Sequence, residues 1–250
     1  MMRKQFVLAI IIVGVELLVH DVSTWAVEPA APAAAAKSAK EKSTAVVRKS
    51  AEEALAELVE GNARFVSGKT ENPRRSPADF RAVANAQYPE AVIVACADSR
   101  VGPELLFDTG VGDLFVVRVA GNVVDGAGVT VKGSIEYAVA ELHVPLIVIL
   151  GHSNCGAVKS AVAHIDHKDS LPGAINGLVE LIKPAVVKAK GESGEIVANA
   201  TRENVKLGVE KLKQLQPILA PGVKAGSVTV VGAVYDLHTG KVEFLPTAKK

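Results

Sequence analysis

The chain has 250 residues, and roughly 200 of them, after an unusual N-terminal stretch, suit one compact domain with a substantial core. Hydrophobic residues make up 49% and charged residues 22%, which is the ordinary balance of a soluble globular protein. Lys and Arg total 28 against 27 for Asp and Glu, so the charge gives no electrostatic reason to expect nucleic acid as a partner.

The N-terminus has the pattern of an export signal. Arg3 and Lys4 precede a mostly apolar run over residues 6–19, and residues 24–26 offer a cleavage site of small residues around a Trp. We therefore predict a signal peptide over residues 1–26 and a periplasmic or secreted protein. The run is shorter than the roughly 20 apolar residues of a comfortable membrane span. Glu16 departs from the apolar pattern of a signal peptide, so an uncleaved anchor remains an alternative.

A linker and a folded domain follow the signal. Residues 27–48 are rich in Ala, Pro and Lys, a composition typical of a flexible tether. The folded domain is predicted over residues 49–250, with no later segment apolar enough to cross a bilayer, so no membrane contact is expected after cleavage. Ser50 and Glu53 fit a capping box, and apolar residues recur behind them at helical spacing, which predicts an N-terminal helical arm.

The rest of the domain alternates between strand and helix patterns. Short, nearly continuous apolar runs predict strands that are buried on both faces, at residues 91–95, 114–120, 146–150 and 228–234. Helical spacing lies between them, around residues 131–142 and 205–215. The turn at residues 238–240 predicts that 242–245 returns antiparallel. The fold class is therefore α/β, with a mainly parallel central sheet, an antiparallel edge strand and flanking helices.

The two cysteines of the chain lie near the carboxyl ends of predicted strands, where sites form in open α/β sheets. Cys96 follows the first strand, and His152 and Cys155 follow the third. Two thiolates and one imidazole form a ligand set that zinc favours, and three protein ligands leave the fourth position for water, as in catalytic sites. A Cys96–Cys155 disulfide, or two cysteines that only fill the core, stay open at this point.

Residues 96–101 (CADSRV) and 152–156 (HSNCG) resemble the two signature motifs of the β-class carbonic anhydrases, and they come in that family's order. Residues 61–65 (GNARF) and 112–118 (GDLFVVR) are also similar, and the resemblance extends from about Ala51 to Phe244. It implies zinc-dependent reversible hydration of carbon dioxide to bicarbonate and a proton, by zinc-bound hydroxide.

The resemblance also implies roles for the residues of the two signature motifs. Zinc is expected on Cys96, His152 and Cys155, with Asp98 and Arg100 as a neighbouring catalytic dyad. Asp98 is close enough in sequence to accept a proton from the zinc-bound water or to bind the metal itself. Arg100 can hold that carboxylate with two parallel N–H bonds and keep it ionised and away from zinc.

An apolar substrate pocket is implied as well, with the residues Gln87, Phe115, Tyr137, Ala120 and Gly156. The resemblance gives Gln87 a hydrogen bond to a substrate oxygen. Gln87, Phe115 and Tyr137 are expected to reach the zinc of the other subunit, which implies a homodimer or a dimer of dimers.

Alternatives remain within and outside this family. A hydrolase of carbon disulfide or carbonyl sulfide would use the same zinc site, and a non-catalytic zinc-stabilised binding module would have a fourth protein ligand. Residues 164–169 (HIDHKD) are compatible with a proton relay or a second metal site, but a solvated loop is favoured. In the family that the chain resembles, members regulated by bicarbonate carry a Trp near the start of the domain. The single Trp here is Trp25 in the export segment, so the resemblance implies the plant-like, open type of zinc site.

Overall fold

A single five-stranded sheet organises the domain. A computed structural model describes residues 48–125, 128–165 and 171–246. The strand order is β2-β1-β3-β4-β5, in which the first four strands run parallel and β5 is antiparallel to β4. This arrangement confirms the predicted fold class. The strands are β1 (Ala91–Ala95), β2 (Leu114–Arg118), β3 (Leu146–His152), β4 (Thr229–Tyr235) and β5 (Val242–Phe244).

The central strands are apolar throughout because helices cover both faces of the sheet. All five residues of β1 are buried, and alternate residues join different cores. Val92 and Val94 pack in one core with the helices that carry Ile135 and Val205, whereas Ile93 packs in the other core with the first helix. A strand that is buried on both faces carries no polar alternation, as expected for parallel sheets.

Eight α-helices lie among the described residues. They are α1 (Ala51–Ser67), α2 (Pro77–Ala82), α3 (Pro103–Leu106), α4 (Gly128–Ala140), α5 (Gly156–Ala163), α6 (Ile175–Ala189), α7 (Ile196–Gln214) and α8 (Leu219–Ala225). The two helical patterns predicted between the strands correspond to α4 and α7. The predicted capping box is present, since the Ser50 hydroxyl accepts from Glu53 N and the Glu53 carboxylate accepts from Ser50 N at 2.7 Å. The predicted helical arm is α1, which packs on the sheet through Ala54 and Leu58.

The GNARF segment in α1 ties the first helix to the rest of the domain. A Cβ on Gly61 would lie 1.9 Å from the carbonyl oxygen of Phe107, so only glycine permits this close approach. The Asn62 amide donates to the carbonyls of Leu106 and Gly240, each at 3.0 Å. Arg64 pairs with the buried Asp108 at 2.7 Å. These contacts give the segment a structural task outside the predicted metal centre.

Several boundaries differ from the sequence prediction, each for a local reason. The second strand ends at Arg118 rather than at residue 120, because residues 120–122 form a 3-10 turn in which Gly121 has a φ of 69°. The third strand continues to His152, whose partner in the ladder is Tyr235. Helix α6 was not predicted. It accommodates Pro184 in its interior and buries an apolar face.

The predicted signal peptide (1–26) and nearly all of the predicted linker (27–48) lie outside the described residues. Arg48, the last residue of that linker, donates to the carbonyl of Leu142 and lies over the ring of Tyr88. In the part of the chain that is described, no helix combines the length and hydropathy of a bilayer span.

Candidate metal centre

Three potential ligands meet at the carboxyl edge of the sheet. Neighbouring parallel strands β1 and β3 end side by side, with Ala95 paired to Leu150. Cys96 directly follows β1, His152 is the last residue of β3, and Cys155 is the N-cap of α5. One ligand atom from each of these residues lies within 4.8 Å of the others, and all three residues are buried. The predicted convergence of distant segments at strand ends is therefore observed.

The donor atoms of this cluster are available to a cation. Both cysteines are free, so the disulfide that the cysteine count left open is absent. The His152 ring donates through Nδ1 to its neighbour, the carbonyl of Ser153, at 2.9 Å, which leaves Nε2 as the acceptor nitrogen. Nε2 is buried and has no hydrogen-bond partner among the described residues. A buried acceptor without a partner is costly, and a metal ion at this position would satisfy it.

The charge state of the two sulfurs also fits a metal. A hydrogen bond with Cys155 holds the pKa of the Cys96 thiol well below its usual range. The nearby Cys96 sulfur in turn raises the pKa of Cys155. Ionisation of one sulfur therefore opposes ionisation of the other, and a bound cation would favour the ionised form of both. Two sulfurs and one imidazole nitrogen form a donor set that suits zinc.

Asp98 and Arg100 form a closely paired dyad beside these donors. Arg100 donates from Nε to Asp98 Oδ1 at 2.9 Å and from Nη2 to Oδ2 at 2.8 Å, and its backbone N–H also donates to Oδ1. These hydrogen bonds hold the pKa of Asp98 below its usual range. Asp98 Oδ2 lies 3.9 Å from Nε2 of His152, so the carboxylate borders the space between the potential ligands.

Arg118 is a further residue of the centre that the sequence analysis did not single out. It is the last residue of β2, and it donates to the carbonyls of Cys96 at 3.1 Å and of Asp98 at 2.6 Å. One side chain from the neighbouring strand thus holds the backbone on both sides of Ala97. An arginine at the end of an otherwise apolar strand was the available signal.

The expected substrate residues are not all at this edge, since Gln87 precedes β1 and Phe115 lies near the start of β2. Phe115 on β2 and Tyr137 on α4 contact each other, with ring centroids 6.4 Å apart, and Tyr137 is 49% exposed. Ala120 lies in the 3-10 turn and Gly156 is the first residue of α5; both are exposed. Gln87 lies in the exposed loop before β1. Within one chain, then, the aromatic pair is assembled, and Gln87 stands apart from it on a separate loop.

Of the loop at residues 164–169, the structure describes only residues 164 and 165. Residues 166–169 lie outside the described residues. Among the described residues, the group able to hold a metal ion is Cys96, His152 and Cys155.

Comparisons with known proteins agree on one family. The family model described as "Carbonic anhydrase" matches residues 91–242. The chain is 41% identical over 186 residues to a carbonic anhydrase of Mycolicibacterium smegmatis, covering 74% of this chain and 89% of that protein. It is 42% identical over 184 residues to carbonic anhydrase 2 of Mycobacterium tuberculosis, covering 74% and 87%.

Solved structures are similar over the same region. The β-carbonic anhydrase of Coccomyxa, solved in complex with acetazolamide, is 30% identical with a TM-score of 0.61, over 76% of this chain and 86% of that chain. The β-carbonic anhydrase CafA of Aspergillus fumigatus is 27% identical with a TM-score of 0.61, over 80% and 92%. The similarity thus covers most of each relative, and the residues that the family model matches, 91–242, include the three potential ligands.

Proposed function

Since the chain belongs to the β-class carbonic anhydrases and is an enzyme of reversible carbon dioxide hydration, we propose that it works with zinc held by Cys96, His152 and Cys155. The observation that carries this proposal is the His152 ring, which offers a nitrogen within 4.8 Å of two free sulfurs and whose buried Nε2 has no hydrogen-bond partner among the described residues. When bound, zinc supplies Lewis acidity that lets water ionise near neutral pH.

The protein's own residues supply the remaining tasks. Arg100 keeps Asp98 ionised and holds both carboxylate oxygens, so that Asp98 can accept a proton without turning towards the ligands. Arg118 fixes the backbone carbonyls of Cys96 and Asp98, and thereby the spacing between ligand and dyad. The rings of Phe115 and Tyr137 present an apolar wall that suits a substrate without charge.

The substrate assignment is tested by activity measured together with metal content. We expect about one zinc ion per chain in the purified protein, and rapid carbon dioxide hydration by stopped-flow indicator assay. Removal of zinc by a chelator should abolish hydration, and added zinc should restore it. Full zinc content with no hydration would contradict the assignment and favour a non-catalytic module. Faster turnover of carbon disulfide or carbonyl sulfide would favour the hydrolase alternative, which the matches to carbonic anhydrases do not support.

We further propose that the active site is completed across a dimer. Strand β2 forms one edge of the sheet, and an exposed edge is a natural surface for association. Phe115 is on this strand, Tyr137 next to it is half exposed, and Gln87 is exposed. A second subunit against this edge would bury the aromatic pair and bring Gln87 to the zinc of its partner.

Gln87→Ala should lower turnover by about 10²–10³-fold while zinc content stays unchanged, if the amide acts as an oxyanion donor does. The matched control is Gln214→Ala, at the exposed end of α7, which should leave turnover unchanged. Coexpression of the Gln87→Ala and Cys155→Ala chains tests whether Gln87 serves the zinc site of its own subunit or that of the other subunit. A mixed dimer restores one complete site, so random pairing should return about a quarter of the wild-type rate. No recovery would place Gln87 at its own subunit's site or give it a structural role.

We also propose that the protein is exported, on the basis of Arg3, Lys4 and the apolar run at residues 6–19. Mass spectrometry of protein purified from its native host should show a new N-terminus near Val27. An intact Met1 on protein outside the cytoplasm would instead indicate an uncleaved anchor.

A further inference from the structure

The backbone of Gly121 links helix α7 to one of the potential zinc ligands. The Gly121 N–H donates to Cys96 Sγ at 3.3 Å, and the Gly121 carbonyl accepts from the Asn204 amide at 2.9 Å. A carbonyl can only accept, so the orientation of the Asn204 amide is determined by this contact. Both hydrogen bonds are buried, and Asn204 is only 8% exposed.

The backbone at this point depends on outside support. Gly121 has a φ of 69° and Asn122, which follows it, has a φ of 46°. Two successive residues in the left-handed region are uncommon and costly for the second, which has a side chain. A Cβ on Gly121 would lie 2.7 Å from Ile182 Cδ1 and 3.2 Å from Ala157 Cβ, so helices α5 and α6 confine the peptide from one side. The Asn204 amide holds it from α7.

A hydrogen bond to a ligand sulfur changes the electron density that the sulfur donates to a metal ion. An N–H that donates to a thiolate withdraws electron density from it, and the surroundings of ligating atoms are a known means of tuning a metal ion. This matters most where two thiolates share one ion, because their combined charge reduces its Lewis acidity. The direction of the Gly121 N–H therefore affects a bound metal ion through the Cys96 sulfur.

We propose that Asn204 is a positioning residue of the metal centre, which directs the Gly121 N–H at Cys96 Sγ and so limits the electron donation of that thiolate to the ion. The inference rests on the proposed zinc site. Asn204 is not itself a ligand, and it acts through the Gly121 carbonyl that it holds, which fixes the backbone of Gly121 and with it the direction of the N–H on the other side of the Gly121 Cα. Its distance along the chain from Gly121, 83 residues, means that only the packing of α7 brings the two together.

The test uses full-length protein in which cobalt(II) replaces zinc, because the thiolate-to-cobalt charge-transfer band reports the electron density on sulfur. Asn204→Leu removes the donor with little change in shape, and the band should move to longer wavelength as the sulfur becomes more electron-rich. Zinc affinity, measured by competition with a chromophoric chelator, should fall about tenfold, because Cys96 is no longer held in position and this loss outweighs the stronger donation by its sulfur.

The matched control is Asn62→Leu. Asn62 is a buried asparagine, 5% exposed, that also donates to backbone carbonyls, but in a part of the domain that has no hydrogen bond to either cysteine. It should lower thermal stability while the cobalt band stays in place. A second variant, Asn204→Ala, removes the same donor without adding apolar volume and should shift the band in the same direction if Asn204→Leu does not fold.

An unchanged band in a folded Asn204 variant would overturn the inference and leave Asn204 as a structural hydrogen bond only. The proposed zinc site is tested separately by the wild-type protein. If cobalt gives no thiolate charge-transfer band in the wild type, the assignment of Cys96 and Cys155 as ligands is wrong, whatever the variants show.

Discussion

Cys155→Ala should lose nearly all of its zinc and its carbon dioxide hydration. The substitution leaves one sulfur and one imidazole, and two protein ligands rarely retain zinc. We expect zinc content below about a tenth of an ion per chain after dialysis, and at least a 10³-fold lower turnover, because the Lewis acid is lost with the ligand. Elemental analysis and stopped-flow hydration on the same sample measure both quantities.

A control is needed because Cys155 is buried at the start of α5, where any truncation can disturb packing. Val158→Ala, one turn further along α5 and 1% exposed, removes apolar volume without removing a ligand atom. It should lower the thermal midpoint but keep its zinc and most of its activity. Full zinc occupancy in Cys155→Ala would remove this residue from the centre and require another third ligand.

Arg100→Ala should keep its zinc and lose most of its activity at neutral pH, by about 10²-fold or more. Arg100 is the cation that holds both oxygens of Asp98, and the carboxylate lies 3.9 Å from the potential ligand nitrogen of His152. Without the guanidinium, Asp98 is free to take the fourth position on zinc. A crystal structure of the variant should then show four protein ligands.

Two variants make this prediction selective. Arg100→Lys keeps the charge but loses the paired geometry, so its activity should lie between those of the wild type and the alanine variant. Arg202→Ala breaks a similar two-bond pair, with Glu243 on the surface, and should leave turnover unchanged. An open zinc site with near-normal turnover in Arg100→Ala would reduce the Asp98–Arg100 dyad to a structural ion pair.

The free energy of unfolding of the domain is expected to depend on pH through Asp108, which lies outside the metal centre. Burial raises the pKa of Asp108, but the hydrogen bonds from Arg64 and from the backbone of Glu71 and Asn72 outweigh it and hold the pKa low. A carboxylate whose pKa is lower in the folded state stabilises it above the unfolded value of about 4. This contribution is lost as the pH falls towards the folded pKa, so acid should loosen the contact between α1 and the segment after α3.

Much of the fold could be read from short-range patterns. The apolar runs at residues 91–95 and 146–150 predicted strands because a parallel sheet buries both faces of its central strands. Helix α6 was harder to predict, since Pro184 interrupts the usual signal and only an apolar face packed against α5 and α7 compensates for it. The end of β2 also depended on more than pattern, because the left-handed backbone at Gly121 stops the strand before the apolar run ends.

The sequence by itself determined which atoms can bind a metal in this protein and placed Cys96, His152 and Cys155 near the carboxyl ends of predicted strands, which share one edge in a parallel sheet. The family resemblance implied that the three residues meet. Their meeting also requires β1 and β3 to be neighbours, which the chain order does not show because β2 lies between them in sequence. Only the tertiary structure decided that the thiols are free, that Arg118 holds the backbone around Ala97, and that Asn204 reaches Gly121. These contacts join residues far apart in the chain through backbone groups that every residue carries. Residue types do not identify the backbone acceptors in advance; the pairing of β1 with β2 selects those of Arg118, and the packing of α7 selects that of Asn204.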